Sequence, residues 1–289
     1  MAFSAGKETT EGGEFKRYIG IAPVFVIAAN PSKEELEKIY DRTLEAAPEY
    51  VGNQNVDGKD VPYARIDFIV KTDAEKANGI DVTSKLSYFL RKEYRFNKDQ
   101  TKVQVIDKYG RTAWVTKEQA NAHEIPQYAN GPANLDKDYR PCYVGEEDLT
   151  NFIKTYLNIP NVQKYVEGKW ILVDNPSQCE ARLDGIDKFF AGDFKELKEI
   201  MSYQPNNKVK VLFGVRTADD GRQYQAIYTQ MVLRNGVTDY SRIDKDLQER
   251  KTAGAYPTTE FEAVAIHEYS VNNTEVEELP AGEAPKGWF

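Results

Sequence analysis

Cationic and aromatic residues are interleaved in one stretch of the sequence, from Lys85 to Lys117. This stretch holds nine Lys or Arg residues against three Asp or Glu, whereas the whole chain has a net charge of −8. It also contains six Tyr, Phe or Trp residues. Because lysine and arginine bind phosphates and flat rings stack on unpaired bases, the pattern is typical of a surface for single-stranded nucleic acid. The alternative is a solvated edge, where lysines on the strand prevent aggregation of the sheet.

The first of two predicted hairpins runs from Lys102 to Thr116 and carries part of this stretch. A three-residue loop over residues 108–110, with Gly110 in the left-handed region, is a common hairpin connection. The predicted pairs are Lys102 with Thr116, Val103 with Val115, Gln104 with Trp114, and Val105 with Ala113. A slip of one residue would mix the apolar and polar faces. The register therefore predicts that Trp114 lies on the polar face.

The second predicted hairpin runs from Lys208 to Leu233 and has the same type of loop, Asp219-Asp220-Gly221. The predicted core-facing pairs are Phe213 with Ile227, Val211 with Thr229 and Val209 with Met231. The opposite face carries Lys208, Lys210, Arg216, Tyr224 and Tyr228. Two interpretations stay open, since a neighbouring helix could cover these rings or both hairpins could present a binding face.

Other chemistry has little support in the sequence. There are two histidines, His123 and His267, and two cysteines, Cys142 and Cys179, which is too few for most metal-hydrolase sites or for a disulfide framework. No phosphate-binding loop, nucleophile elbow, zinc-protease motif or C-x-x-C motif is present. We expect no cofactor and no metal. Acidic residues 146–148 are placed to begin a helix, and Asp219-Asp220 fits turn chemistry.

Around these residues, the pattern predicts a β-rich α+β fold with long strands and a few helices. Strands are expected at Phe15–Ala28 (bent or at an edge), Tyr63–Lys71 and Glu260–Val271. One helix begins at Ser32, which forms a capping-box pair with Glu35, and ends before Pro48. Its expected buried stripe is Leu36, Ile39, Tyr40, Thr43 and Leu44.

Two further helices are expected, one from Glu147 to Asn158 and one after Asp193. Their inward residues are predicted to be Leu149, Phe152, Ile153, Tyr156 and Leu157 in the first, and Phe194, Leu197, Ile200 and Met201 in the second. Residues 118–204 would form a large helical and loop insertion. Residues 1–13 are predicted to be disordered, residues 14–271 to form the core, and residues 272–289 to form a flexible acidic tail.

Three segments resemble single-stranded DNA-binding proteins of tailed bacteriophages, with the crAss-like phages as the nearest type. They are Leu86–Trp114, Val209–Tyr228 and Lys251–Phe261. The resemblance implies an OB-like β-barrel core with inserted helices, no catalysis, and a role in phage DNA replication and recombination in the cytoplasm of the infected bacterium. It also implies an acidic C-terminal tail that recruits replication proteins, which would involve Glu277, Glu278, Trp288 and Phe289. No membrane partner is expected, because no apolar run approaches the length of a spanning helix.

The residues expected to bind DNA are cations for phosphates and rings for bases. They are Tyr88, Arg91, Lys92, Tyr94, Arg95, Phe96, Lys98, Lys102, Lys108, Tyr109, Arg111, Trp114, Lys208, Lys210, Arg216, Tyr224 and Tyr228. Two alternatives remain. The chain could be a structural or assembly protein of the virion, or a metal-dependent nuclease that uses Asp219 and Asp220.

Overall fold

A computed structural model of the chain describes residues 17–124, 135–180, 185–202 and 206–269. The strands are β1 (Arg17–Ala29), β2 (Val51–Val56), β3 (Lys59–Thr72), β4 (Thr83–Tyr94), β5 (Lys102–Ile106), β6 (Thr112–Thr116), β7 (Arg140–Pro141), β8 (Tyr143–Val144), β9 (Gln163–Val166), β10 (Lys169–Leu172), β11 (Val209–Thr217), β12 (Gln223–Ile227), β13 (Leu233–Arg234), β14 (Thr259–Phe261) and β15 (His267–Tyr269). The helices are α1 (Lys33–Tyr40), α2 (Lys117–Ala122), α3 (Glu146–Tyr156), α4 (Lys195–Ile200) and α5 (Ser241–Thr252). Two 3₁₀ turns lie at Pro176–Cys179 and Ile186–Ala191.

The fold is β-rich α+β and is built on one strongly curled antiparallel sheet. Its strand order is β12-β11-β1-β3-β4-β8, with β2 added to β3, β13 and β14 to β11, and β15 to β1. Strands β4 and β12 also approach each other, so the sheet forms a half-barrel. A three-stranded sheet (β6-β5-β7) and a separate two-stranded sheet (β10-β9) complete the strand pairing of the described residues.

The principal core lies on the inner face of the curled sheet, where alternate residues of β1, β3, β4 and β11 point. Helix α3 closes this face. Its Leu149, Phe152, Ile153 and Tyr156 are all buried, and the Phe152 ring lies 4.6 Å from that of Phe68 in β3. The predicted helix is therefore confirmed, since the apolar spacing of i, i+3, i+4 and i+7 faces one core.

The stretch 118–204 contributes directly to this core. Besides α3, it supplies Phe189, Phe194, Leu197 and Met201 to the principal cluster. It also supplies β7 and β8, which extend two of the sheets. Of the inward residues predicted for the helix after Asp193, Ile200 is only half-buried.

Helix α1 begins as predicted and ends earlier than predicted. The Ser32 side chain accepts a hydrogen bond from the Glu35 amide, and the Glu35 carboxylate accepts one from the Ser32 amide. The helix stops at Tyr40 because Asp41 takes the left-handed conformation, with φ at 49°. No residue of α1 is fully buried, and Thr43 is exposed, so the predicted stripe to Leu44 is wrong.

One strand prediction is confirmed and one needs correction. Of the two alternatives for the first strand, the bent one is correct, because β1 has a register shift between Val26 and Ala28 and pairs with both β3 and β11, so it does not lie at an edge. The expected last strand, Glu260–Val271, is split into β14, which pairs with β11, and β15, which pairs with β1. Residues 1–13 and 272–289 lie outside the described residues.

A second, smaller core lies on the outer face of β11 under helix α5, which the sequence analysis did not predict. Leu212, Tyr228, Ile243 and Leu247 are buried in it. This core decides which face of the second hairpin is accessible.

Candidate nucleic-acid interface

The first hairpin has the predicted register. Strands β5 and β6 pair Lys102 with Thr116, Gln104 with Trp114 and Val105 with Ala113. The apolar face packs with Leu135 and Tyr139 in a third small core. The loop is closed by the Asp107 amide, which donates to the Arg111 carbonyl at 3.1 Å, and Gly110 has a φ of 67°.

Trp114 lies on the polar face with 37% of its surface exposed. Arg95, in the segment between β4 and β5, lies over its ring, with 5.8 Å from the guanidinium carbon to the ring centre. An arginine over an indole face is stabilised by the ring quadrupole. The Arg95 guanidinium therefore covers one face of Trp114, and the same group can bind a phosphate.

Glu147, in the first turn of α3, holds this polar face in place. Its carboxylate accepts hydrogen bonds from Arg95 Nη1 at 2.9 Å, from Gln104 Nε2 at 2.8 Å and from Thr112 Oγ1 at 2.9 Å. Residues 146–148 do begin a helix, as predicted. The carboxylate also neutralises part of the Arg95 charge.

Tyr94 is the outer ring of a short aromatic ladder. It is 47% exposed and stacks on Tyr143 with 5.5 Å between ring centres, and Tyr143 in turn meets the edge of Phe190. The Tyr143 hydroxyl donates to Asp187, and burial together with this contact raises its pKa to about 12. Lys92 lies over Phe190 and 3.4 Å from Asp187, so its charge is partly paired. The free face of Tyr94 is available for stacking.

Phe96 and three lysines form the rest of the exposed surface. Phe96 is 39% exposed, with the Lys117 ammonium 5.1 Å from its ring centre. Lys98 and Lys102 are exposed at the turn that joins Phe96 to β5. Within the described part of the chain, Lys98, Lys102 and Lys117 have no acidic partner within 4.0 Å. These residues and their neighbours form what we call the Trp114 surface: Tyr94, Arg95, Phe96, Lys98, Lys102, Trp114 and Lys117. It extends over both faces of the β5–β6 hairpin, because Phe96 pairs with Val103, which lies on the face opposite Gln104 and Trp114.

Three predicted phosphate-binding cations are instead committed to ion pairs. Arg111 binds the fully buried Asp107 through two nitrogens, at 2.7 and 2.6 Å. Lys108 lies 3.5 Å from Asp136 and 3.7 Å from Glu180, and Asp136 above all raises its pKa. Arg91 Nη2 is 3.7 Å from Glu93. Tyr109 lies between the first two cations and is half-buried.

Two predicted stacking rings are not accessible in this conformation. Tyr88 is 6% exposed, packs between Phe68 and Phe152, and its pKa is raised by burial. Tyr228 is 0% exposed in the second core, where its hydroxyl donates to Asp246 of α5. We therefore remove both from the set of candidate contact residues.

The rest of the second hairpin also departs from the prediction. Phe213 pairs with Ile227 as expected, but Val209 and Lys210 pair with Arg234 and Leu233. The predicted pairs Val211 with Thr229 and Val209 with Met231 are therefore wrong, because the chain leaves β11 after Tyr228 enters the second core.

The predicted cations of this hairpin are mostly engaged by other residues. Lys208 pairs with Asp73, and Lys210 donates to the Val237 carbonyl and the Tyr240 hydroxyl. Arg216 lies over Tyr224, at 5.6 Å, and remains exposed.

Sequence reasoning missed the exposure of Phe89. It lies on β4 with 57% of its surface exposed, opposite Arg65 of β3. Its position next to buried Tyr88 and Leu90 in an alternating strand is the signal that could have found it.

Comparisons of the chain with protein-family models, with curated proteins and with solved structures found no match.

Among the described residues, no three His, Cys, Asp or Glu side chains are grouped so that they could hold a metal ion. Asp220 pairs with Arg222 and caps the hairpin loop. Cys142 and Cys179 are free and buried, and burial raises the pKa of the Cys142 thiol. None of the described helices is long and apolar enough to cross a membrane. Glu277, Glu278, Trp288 and Phe289 lie outside the described residues.

Proposed function

We propose that this protein binds single-stranded DNA without catalysis and largely without sequence preference. The observation that carries the proposal is the Trp114 surface, which has three exposed rings and three exposed lysines with no acidic group within 4.0 Å among the described residues. In the proposed complex, unpaired bases stack on Tyr94, Phe96 and Trp114. Phosphates bind Lys98, Lys102 and Lys117. Arg95 stays paired with Glu147 and over the Trp114 ring.

This arrangement fits single strands better than duplex DNA. A stacking ring must reach the face of a base, which is open only in an unpaired strand, and each such stack contributes about 1–3 kcal/mol. Every base has such a face, so binding tolerates any sequence. The buried Arg111–Asp107 pair stays intact and supports the hairpin, because breaking a buried pair is costly.

The resemblance to phage single-stranded DNA-binding proteins supports the wider part of the proposal. It assigns the binding to phage DNA replication and recombination in the host cytoplasm, with replication proteins as partners of the acidic tail. The curled antiparallel sheet is compatible with an OB-like barrel, which we include in the proposal.

The test is fluorescence anisotropy of labelled oligo-dT with the full chain, Trp114→Ala and Tyr94→Ala, at several salt concentrations. We expect each substitution to weaken binding by about fivefold to 100-fold, which corresponds to the loss of one stacked base. Three neutralised phosphates should give a slope of log K against log[salt] of about −2. A duplex of the same length should bind more weakly.

Trp170→Ala is the matched control. Trp170 is 51% exposed, and the lysines of its hairpin point to the opposite face. It should leave the affinity unchanged when the protein is at nanomolar concentration. The site would be refuted if Trp114→Ala and Tyr94→Ala both bind oligo-dT as tightly as the unsubstituted chain while their thermal unfolding curves show that they are folded. No binding at low salt would refute the function, and the virion would then be the place to look for the protein.

A further inference from the structure

The exposed rings of the Trp114 surface lie on both faces of the β5–β6 hairpin. Trp114 is opposite Gln104 in the ladder, and Lys102 lies on the same face because it precedes Gln104 by two residues. Phe96 forms a bridge with Val103, so the Phe96 ring is on the other face. Trp114 and Phe96 are exposed by 37% and 39%. A base can therefore stack on either face of the hairpin.

A lysine lies beside each of these rings. The Lys117 ammonium is 5.1 Å from the centre of the Phe96 ring. Lys102 is opposite Thr116, two residues from Trp114, and such diagonal neighbours are about 7–8 Å apart. Each face thus combines a flat ring for a base with a cation for the adjoining phosphate, which are the two groups that a single strand requires.

The lysines are placed at the end of the hairpin that is remote from its loop, which we call the lysine end (Lys98, Lys102 and Lys117). Lys102 and Thr116 are the last pair of the ladder, and Lys117 begins α2 directly after it. Lys98 is exposed in the preceding turn, which the Asn97 amide closes by donating to the Lys102 carbonyl at 3.0 Å. The lysine end therefore places cations between the two faces.

Two carboxylates share this end without neutralising it. Asp99 is exposed in the same turn as Lys98, and Glu118 follows Lys117 in α2. No ion pair joins either carboxylate to the three lysines, all of which belong to the described residues. Hydrogen bonds from its own amide and from the Thr116 hydroxyl lower the pKa of Glu118. A phosphate can thus approach the lysines without displacing an ion pair.

We propose that one DNA strand bends around the lysine end, with one base on Trp114, another on Phe96 and the phosphates between them on the three lysines. This bend rests on the proposed function and defines the class of strand that the site accepts. That class is a flexible single strand whose neighbouring bases can come apart.

The thickness of the hairpin forces the strand to unstack. Packed sheets are about 10 Å apart, so one layer of side chains is about 5 Å deep and rings on opposite faces of one sheet are about 10 Å apart. Neighbouring bases in a stacked strand follow each other at about 3.4 Å, and further bases fill the space between distant ones. Here the hairpin fills that space. Bases must therefore separate between the two rings, which costs least in strands that stack weakly.

One strand is favoured over two because the cations lie between the faces. Two separate strands would each need phosphate contacts on one face, whereas the lysine end serves phosphates that cross from one face to the other. The second ring is then bound intramolecularly, at a high effective concentration. Both rings should therefore contribute to the affinity for the same strand.

The first test uses a strand of about twelve abasic nucleotides that carries two thymidines separated by zero to eight abasic positions. The number of phosphates is constant, so only the spacing of the bases changes. The protein is the full chain with Tyr94→Ala, because Tyr94 precedes Phe96 by two residues and would offer adjacent thymidines a second ring on that side. The variant keeps one exposed ring of the Trp114 surface on each face.

Adjacent thymidines cannot reach both rings, whereas a spacing that spans the lysine end lets both bases stack. Fluorescence anisotropy should show a maximum of affinity at about two to four abasic positions, at least about fivefold above adjacent thymidines. The affinity should then decline gradually at longer spacings, as expected for two sites joined by a flexible linker.

Phe96→Ala, added to Tyr94→Ala, should remove the maximum because only the Trp114 ring is left. Phe89→Ala in the same background is the matched control. Phe89 is a phenylalanine on β4 with 57% of its surface exposed, and it lies outside the Trp114 surface. The maximum should persist in this control. Thermal unfolding curves show whether each variant is folded.

The second test compares oligo-dT with oligo-dA of the same length on the unsubstituted chain. Adenines stack on one another more strongly than thymines, so oligo-dA resists the bend and should bind several-fold more weakly. Phe96→Ala removes the need to bend, so the ratio of the two affinities should shrink toward one.

Four results would overturn the bend. They are an affinity that does not depend on the spacing of the thymidines, a maximum that survives Phe96→Ala, two oligonucleotides bound per chain at saturation, and equal affinity for oligo-dA and oligo-dT. If Trp114→Ala weakens oligo-dT binding and Phe96→Ala does not, the bend is refuted and the proposed function stands with a site on one face. Absence of oligo-dT binding would refute both.

Discussion

The Arg95 guanidinium donates a 2.9 Å hydrogen bond to the Glu147 carboxylate across 52 positions of the sequence. This contact connects the segment after β4 to the first turn of α3. Arg95 also lies over the Trp114 ring. The negative charge of Glu147 offsets the positive charge of Arg95, so it reduces the attraction of the Trp114 surface for an anion. The surface and the helix that closes the principal core are therefore linked.

Replacing Glu147 with Gln tests this link. Gln104 donates to Oε2 of Glu147 and Thr112 to Oε1, so a glutamine can keep its oxygen toward Gln104 and donate from its amide nitrogen to the Thr112 hydroxyl. Arg95 loses its ion pair and is released toward a phosphate. We expect oligo-dT to bind a few-fold more tightly at low salt, with the salt slope steeper by about 0.7 for one additional phosphate contact. Anisotropy titrations at several salt concentrations measure both quantities.

The control for this prediction is Glu249→Gln on α5. Its side chain is 68% exposed and lies 4.0 Å from Lys245. It removes the same charge from the chain at another place, so the steeper slope should be absent. If both variants change the affinity equally, net charge and not the position of Arg95 explains the result.

Tyr228→Phe tests whether Tyr228 belongs to the second core or contacts DNA. The Tyr228 hydroxyl donates to Asp246, which also pairs with Arg250 at 3.1 Å, and burial raises the pKa of the phenol. Removal of this hydroxyl should lower the free energy of unfolding by about 1–2 kcal/mol. Oligo-dT affinity should not change, because the ring is covered by α5.

Urea unfolding followed by circular dichroism measures this effect, and Tyr224→Phe is its control. Tyr224 is half-buried beside Arg216, so loss of its hydroxyl should change the stability by less than about 0.5 kcal/mol. A stable Tyr228→Phe variant with reduced DNA affinity would contradict the assignment of Tyr228 to the core.

Local patterns predicted the parts of the fold that depend on few neighbours. The register of the first hairpin follows from the alternation of Val103 and Val105 and from the glycine of its loop. Helix α3 was predicted from five apolar residues on one side, of which four are buried and the fifth, Leu157, is half-buried at the end of the helix. Both signals are complete within about fifteen residues, so tertiary context could not override them.

The site was harder to predict because the partners of its residues are distant in sequence. Helix α5 has only two buried residues, Ile243 and Leu247, so its periodic signal is weak. Its absence from the prediction made Tyr228 look exposed. Lys108 is paired with Asp136 and Glu180, which no local pattern brings near it. For Arg111 the partner Asp107 was four residues away and could have been found.

Gly145 is the residue that lets α3 approach the sheet, and its replacement should be costly. It precedes α3 with a φ of 86°, and a Cβ atom there would lie 1.9 Å from the Phe89 carbonyl oxygen of β4. Gly145→Ala therefore adds a backbone clash to the strain of a left-handed alanine. We expect the free energy of unfolding to fall by about 3 kcal/mol or more.

Gly58→Ala is the control, because it places an alanine in the left-handed conformation without a clash with a neighbouring atom. Gly58 has a φ of 79° in the turn between β2 and β3, with no atom within 4 Å of the added Cβ, so it should cost only about 1–2 kcal/mol. Because Gly145 precedes Glu146 and Glu147, the clash must also shift the carboxylate that binds Arg95. Folded Gly145→Ala protein should therefore bind oligo-dT with altered affinity, whereas Gly58→Ala should bind like the wild type. Equal losses of stability in urea unfolding would show that α3 does not approach β4 this closely.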